Sequence, residues 1–311
     1  MTMSFNVKAP SAFRKLGAVS LITATIFFTA CNQTGGGKQK APFVEGGASL
    51  ILSPDNLTIN VGAKTEDGSD IAVEGCEETT LKSDDYTELH ATGKRVVLKG
   101  EITELKCDRN QLTAINVQGC ASLKELNCRD NQLPELNVQD CTSLQNLHCG
   151  VNQLTSLNVQ NLTALNVLSC LGNNLIELNV QGCVALQWLN CSSNKLTALN
   201  VQGCTAFESL HCDNNQLTEL NVQGLTKLRL LNCFSNQIKA QAMTKILKAL
   251  PTRNADDITL AILYTEKTDE PEGNCKDYTQ PADLKTAFNG AKSRNWKLKK
   301  INAGGNKWED I

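Results

Sequence analysis

One feature constrains this chain more than any other: seven cysteines recur at a fixed step. Cys107, Cys128, Cys149, Cys170, Cys191, Cys212 and Cys233 are each 21 residues apart. Seven asparagines keep the same step: Asn110, Asn131, Asn152, Asn173, Asn194, Asn215 and Asn236. A second column sits 13 residues behind the first, as Cys120, Cys141, Leu162, Cys183, Cys204 and Leu225. A strict period of this length marks a stacked-repeat architecture. One unit, Leu186 to Ala206, reads L-x-x-L-x-C-x-x-N-x-L-x-x-L-N-V-x-x-C-x-x. Leu189 and Cys191 are two apart, so they share one side of a strand. Asn194 closes that strand. Leu196 and Leu199 are three apart, which suits a turn or a short 3₁₀ segment. Val201 and Cys204 bring the chain back. A single unit cannot bury its apolar third, whereas stacked units bury it against one another, which is the logic of a solenoid.

The pattern L-x-x-L-x-L-x-x-N-x-L is the signature of leucine-rich repeats. This chain resembles them, with Cys in the third Leu place of all seven units. That variant is similar to the cysteine-containing, 21-residue repeats of internalin J-like bacterial surface proteins. The resemblance covers about Ile102 to Ile238, under half of the chain. It implies an α/β leucine-rich-repeat solenoid with a curved parallel β-sheet whose strands line a concave face. It also implies adhesion or contact with host or matrix. It names no ligand, because one fold serves many partners.

So many cysteines invite a metal or redox reading, but the spacing argues against it. Zinc sites use pairs two to four residues apart, and these cysteines alternate at 8 and 13. Neighbouring parallel strands lie about 4.7–4.9 Å apart, so equivalent cysteines stack in an inward column and pack as small hydrophobes. Leu162 and Leu225 fit that role, since Leu replaces Cys where space is filled. Adjacent rungs lie within bridging distance, yet their side chains point the same way, which strains a disulfide. Buried, reduced thiols are the expectation. Cys76 and Cys275 fall outside both columns. Each inward Asn is expected to satisfy backbone groups left unpaired in the bend after its strand.

The chain opens with an address. Lys8, Arg14 and Lys15 precede a 13-residue apolar core, Leu16 to Phe28, too short to span a bilayer. Phe28-Thr29-Ala30-Cys31 resembles the lipobox of bacterial lipoproteins, which makes Cys31 the lipidation site, although Phe28 stands where Leu is usual. Residues 1–30 are read as the signal peptide, 31–47 as a flexible Gly- and Lys-containing tether, and 48–101 as a β-rich N-terminal cap. Residues 102–238 are the seven repeats. Residues 239–311 are an α/β C-terminal cap, read as helix–strand–helix–strand. In it Met243, Ile246, Leu247 and Leu250 keep helical spacing, Ile258, Leu260, Ile262 and Tyr264 alternate as a strand, and Leu284 to Ala291 form a second helix. Between the strand and that helix lies a polar loop, Lys267 to Gln280. The localisation that follows is the bacterial outer membrane, lipid-anchored and facing the cell surface. A periplasm-facing arrangement is the alternative.

Composition narrows the function. The formal net charge is −2, and losing residues 1–30 leaves 27 positive against 32 negative charges. That gives no basic footprint for a nucleic-acid partner. No run of about 20 apolar residues exists, so the membrane is reached through acyl chains rather than a spanning helix. Three His in 311 residues make a multi-His metal site improbable, and no cofactor is expected. No Ser/His/Asp cluster, P-loop or dinucleotide fingerprint stands out, so a non-enzymatic binding module is the expectation. The variable outward positions beside each Cys are where a protein or polysaccharide ligand would bind. Repeats one and two are charged there, through Glu104, Lys106, Asp108, Glu125 and Arg129. Repeats four to seven carry apolar groups, and the candidate ligand face is Trp188, Asn190, Val167, Leu171, His211, Leu230, Phe234 and His148. His148 and His211 lie three rungs apart, about 14 Å at strand spacing, too far to share a metal.

Overall fold

The computed structural model describes residues 40–305 and 307–311. The signal peptide, Cys31 and the first part of the tether lie outside the described residues. Among the described residues six strands precede the repeats: β1 (Ala48–Ile51), β2 (Thr58–Thr65), β3 (Ile71–Glu74), β4 (Thr80–Leu81), β5 (Asp85–His90) and β6 (Arg95–Lys99). Alternation sets their faces. Ile59 and Val61 in β2, and Ile71 and Val73 in β3, point inward and are buried, while the residues between them are exposed.

The repeats supply β7 (Ile102–Lys106), β8 (Ala114–Asn116), β9 (Glu125–Asn127), β10 (Asn146–His148) and β11 (Ser156–Asn158). They continue through β12 (Val167–Ser169), β13 (Glu177–Asn179), β14 (Trp188–Asn190), β15 (Ser209–His211) and β16 (Leu230–Asn232). The sequence period becomes strand register. Leu105 pairs with Leu126, Leu126 with Leu147, Leu147 with Leu168, and so on to Leu231, always parallel. On the opposite side of the solenoid β11 and β13 pair in parallel, Leu157 with Leu178. Of the turn or 3₁₀ segment expected between the leucines three apart, the chain keeps only a bend, at Thr155 and at Thr197, and β11 follows the first of these. Leu157 and Val159 are two apart and both buried with Asn158 exposed between them, so a period of two extends the backbone here.

The N-terminal strands continue both sides of the solenoid. β1 pairs with β8, and the five-stranded order is β4-β3-β6-β1-β8. β2 pairs with β7 and carries β5 outside it. After the repeats come α1 (Ala240–Ala249), β17 (Leu260–Thr265), α2 (Ala282–Ser293), β18 (Lys297–Ile301) and β19 (Trp308–Asp310). β17 and β18 extend the large sheet in parallel, while β19 returns antiparallel as a last strand that the sequence pattern did not signal. The large sheet thus has 12 strands. Ile258 was expected in β17, but it precedes that strand and is 83% exposed. Instead both faces of β17 are covered: Ala261 and Leu263 enter the main core, and Ile262 packs on the other side. Among the described residues no helix is long and apolar enough to cross a membrane.

Candidate functional site

The inward columns are occupied by packing and hydrogen bonding. Two residues after each ladder Cys the backbone turns left-handed, through Arg109, Asp130, Val151, Gly172, Ser193, Asn214 and Ser235. Such a corner leaves carbonyls and N–H groups without ladder partners, and the Asn column takes them. Asn173 Nδ2 donates to the carbonyls of Cys149 and Cys170, each at 3.1 Å, and its Oδ1 accepts from Leu154 N at 3.0 Å. The same set recurs at Asn131, Asn152, Asn194, Asn215 and Asn236. At the first rung Asn110 exchanges hydrogen bonds with the Asn60 backbone, at 2.8 and 2.9 Å.

An eighth rung lies in the loop read only as polar. Asn274 Nδ2 donates to the carbonyls of Cys233 and Leu263, and Ile238 N donates to its Oδ1, all at 2.8 Å. Beside it, the Glu272 carboxylate accepts from Ser235 N at 2.9 Å, Thr265 N at 2.7 Å and Asn274 N at 2.8 Å. Glu272 and Asn274 are therefore taken up in closing the solenoid, while Glu270 and Tyr278 of the same loop each bury a polar oxygen without a hydrogen-bond partner.

The thiols are equally committed. Eleven column cysteines are buried and free, and Cys76 and Cys275 are partly buried and free. Burial pushes the Cys128 and Cys141 thiols up to about 12, so neither is a nucleophile at neutral pH. The second column does more than fill space. Cys141, Cys183 and Cys204 donate Sγ–H to the carbonyls of Val117, Val159 and Val180 one rung back, at 3.3, 3.1 and 3.4 Å. Cys120 does the same to Gly47 at 3.1 Å, which ties the N-terminal cap to the first repeat. Among the described residues no cluster of three or more His, Cys, Asp or Glu is placed to hold a metal.

Outward positions of the large sheet remain for function. In the first two repeats the charges face one another: Lys106 reaches Glu104 at 3.3 Å and Glu125 at 3.6 Å, and Asn127 Nδ2 donates to Asp108 at 3.0 Å. From β12 to β16 the face changes character. One row across the strands is Val167, Trp188, Ser209 and Leu230, and the next is His148, Ser169, Asn190, His211 and Asn232. Trp188, Asn190, Val167, Leu171, His211, Leu230 and His148 are all half-buried. The Trp188 and His211 rings lie 5.8 Å apart at 53°. The register thus gathers five sequence-chosen residues, Val167, Trp188, Asn190, His211 and Leu230, on adjacent strands. His148 sits two strands from Asn190 in the same row, and Leu171 lies past Cys170 toward the corner.

Phe234 leaves the set. It is 7% exposed because Ile262 and Ile301 from β17 and β18 cover it, with Leu260 alongside. The structure also joins residues that the sequence reading did not connect. Ser209 Oγ lies 3.1 Å from His211 Nε2, and Asp213 follows two residues later. The signal was present as a period-two spacing on one strand. The group is not a catalytic triad. Asp213 is buried, and its oxygens accept from Ser192 Oγ at 2.6 Å and Asn214 Nδ2 at 3.1 Å rather than orienting the imidazole. Burial lowers the His211 pKa, against the pull of Asp213, and burial likewise lowers that of His148. Both rings are thus biased toward the neutral form. On the other side of the solenoid an open groove of about 840 Å³ runs between Leu199, Leu220 and α1, edged by Lys245 and Lys248.

Leu, Cys and Asn columns in parallel register decide the architecture. The fold is a leucine-rich-repeat solenoid with a cysteine ladder. No family model matches the chain, and no curated protein does. Among solved structures it is similar to the functional domain of InlJ from Listeria monocytogenes, described as including a cysteine ladder. Identity there is 24%, the TM-score is 0.41, and the match covers 62% of this chain and 48% of that one. It is also similar to a leucine-rich-repeat protein of Leptospira interrogans, at 22% identity and a TM-score of 0.42, over 63% of this chain and 53% of that one. An internalin F from Listeria monocytogenes matches at 18% identity and a TM-score of 0.25, over 60% of this chain and 87% of that one. The chain thus spans about half the length of the first two.

Proposed function

We propose that this protein is a non-enzymatic binding module, held on the bacterial envelope through acyl chains on Cys31 and displayed for contact with host or matrix. The ligand face is the outward side of β12 to β16, centred on Trp188. One observation carries the reading. The inward columns are filled by packing and backbone satisfaction, while this outward stretch keeps half-buried apolar and neutral polar groups that no core contact requires. Glu272 and Asn274, held by backbone at the end of the array, fit a structural part in that binding module. Protease digestion of intact cells, probed for the repeats with a periplasmic protein as control, tests the display. Loss of the repeats while the control survives is the expected result. Protection until the outer layer is breached would replace this reading with a periplasm-facing lipoprotein that scaffolds the envelope.

A further inference from the structure

We propose that the Trp188 patch binds a neutral glycan, one sugar ring stacking on the indole while its hydroxyls meet Asn190, His211 and Asn232. The proposal rests on the ligand face assigned above and names the chemistry of its ligand. Three observations lead to it.

Asn232 comes first. Its Oδ1 is shut off from water and has no hydrogen-bond partner. Asn232 lies on the outward row between His211 and Ile262, because Leu231 and Cys233 on either side of it point into the core. A desolvated acceptor without a donor is unfavourable, and because the residue as a whole is only half-buried, rotation of its side chain relieves it by bringing the oxygen to a donor arriving from outside. The second observation is the mix of neighbours. Asn190 Oδ1 already accepts from Ser192 N at 3.0 Å, so its amide group faces outward as a donor. His211 uses Nε2 toward Ser209 and keeps Nδ1. Acceptor and donor therefore alternate along one row, which suits hydroxyl groups, each of them both donor and acceptor.

The third observation is charge. Across the outward rows of β12 to β16 no side chain is ionic. The nearby Asp213 is buried with its oxygens held by Ser192 and Asn214. The nearest other ionic side chains, Glu208 and Arg229, stand just before Ser209 and Leu230 on neighbouring rungs and are opposite in sign, so the face offers no net counter-charge to an anionic or cationic ligand. Val167 and Leu230 flank Trp188 and Ser209 along their row, so an apolar strip runs directly beside the polar one. A pyranose has the same division, an apolar face with a polar rim. Aromatic side chains with an apolar body and a few placed polar groups are the usual means of fixing such ligands.

The test is affinity electrophoresis of the folded protein in gels containing a neutral β-glucan, mannan, galactomannan or soluble glycol chitin, with alginate as the anionic comparison. Retardation in at least one neutral gel is expected, and none specific to alginate. Trp188→Ala and Asn232→Ala should each weaken that retardation about tenfold or more, while Trp188→Phe keeps part of it and Gln202→Ala on the opposite side changes nothing. Matching melting curves show that the variants are folded. No retardation in any neutral gel, or retardation that survives both alanine variants, overturns the proposal. Binding to cultured epithelial cells before and after periodate oxidation separates this failure from that of the underlying reading. Periodate-resistant binding abolished by Trp188→Ala means a protein ligand on the same face, so the glycan falls and the face stands. Binding indifferent to Trp188→Ala in every format removes both.

Discussion

Val151 occupies a left-handed corner at φ +54°, a conformation that a β-branched side chain resists. The next unit places Gly172 there, and other units use Asp130, Ser193 and Asn214. Val151 is 44% exposed, so little burial offsets the strain. Val151→Asn is expected to stabilise by about 1 kcal/mol, read as a higher urea midpoint at unchanged slope. Asn173→Ala works the other way. It strands the buried Leu154 N–H and takes one of two asparagine donors from each of the Cys149 and Cys170 carbonyls, which keep Asn152 and Asn194, and should cost on the order of 1–3 kcal/mol. A change indistinguishable from zero would show that the Asn column is decoration. Asp213 adds a pH dependence. Burial is the largest influence and raises its pKa, against the hydrogen bonds from Ser192 and Asn214. A carboxyl raised in the fold stays protonated there while the unfolded chain ionises, so stability falls as pH rises through that window. Asp213→Asn removes the titration and keeps an acceptor for Ser192. Its melting temperature should exceed the parent's at pH 7, and the difference should close as pH falls below the ordinary value of 3.8.

At the scale of elements, the repeats and their closures obey different rules. A repeat strand of three residues is short, and it holds because its neighbours on both sides share its register. The end of the array lacks that support, so α1 and β17 must carry the register onward across a longer connection. Glu272 performs the join. Its carboxylate holds Ser235 N from the last corner and Thr265 N from the end of β17 at once. Glu272→Ala should cost about 2–3 kcal/mol, because hydrogen bonds to a charged group are stronger than neutral ones and the abandoned N–H groups sit out of water. Hydrogen exchange should show the loss first in β17 and α1, with β9 and β10 unchanged. Uniform loosening of the whole array would contradict this local role.

Taken as a whole molecule, the parts that repeat were legible down to their register, while the parts that occur once were legible as elements, such as the helix–strand–helix–strand after the repeats, but not in the contacts that close the array. Cysteine and asparagine columns at a step of 21 carry their own register, and the parallel pairing of Leu105 through Leu231 follows from it. Asn274 performs the same task as Asn236 but stands 38 residues beyond it, after a helix and a strand, so no period points to it. Phe234 keeps a repeat's outward position and is buried only because Ile262 and Ile301 arrive from elsewhere in the chain. The sulfur–carbonyl contacts were equally invisible, since they depend on how closely one rung approaches the last. The candidate face was readable as a set of positions, but the Ser209–His211 contact and the stranded oxygen of Asn232 needed coordinates.

The central claim is that the columns are structural, which leaves function to the outward face. Thiol counting with an alkylating reagent, without reductant, tests it most directly. In the native protein at pH 8 the eleven buried column cysteines should stay unmodified, with Cys76 and Cys275 reacting slowly, Cys76 because burial lifts its thiol to about 11. After unfolding in guanidinium, all eleven should be alkylated. Columns that resist alkylation until a reductant is added would mean disulfides, and columns that label rapidly in the native state would mean an open core. Either result would contradict the account.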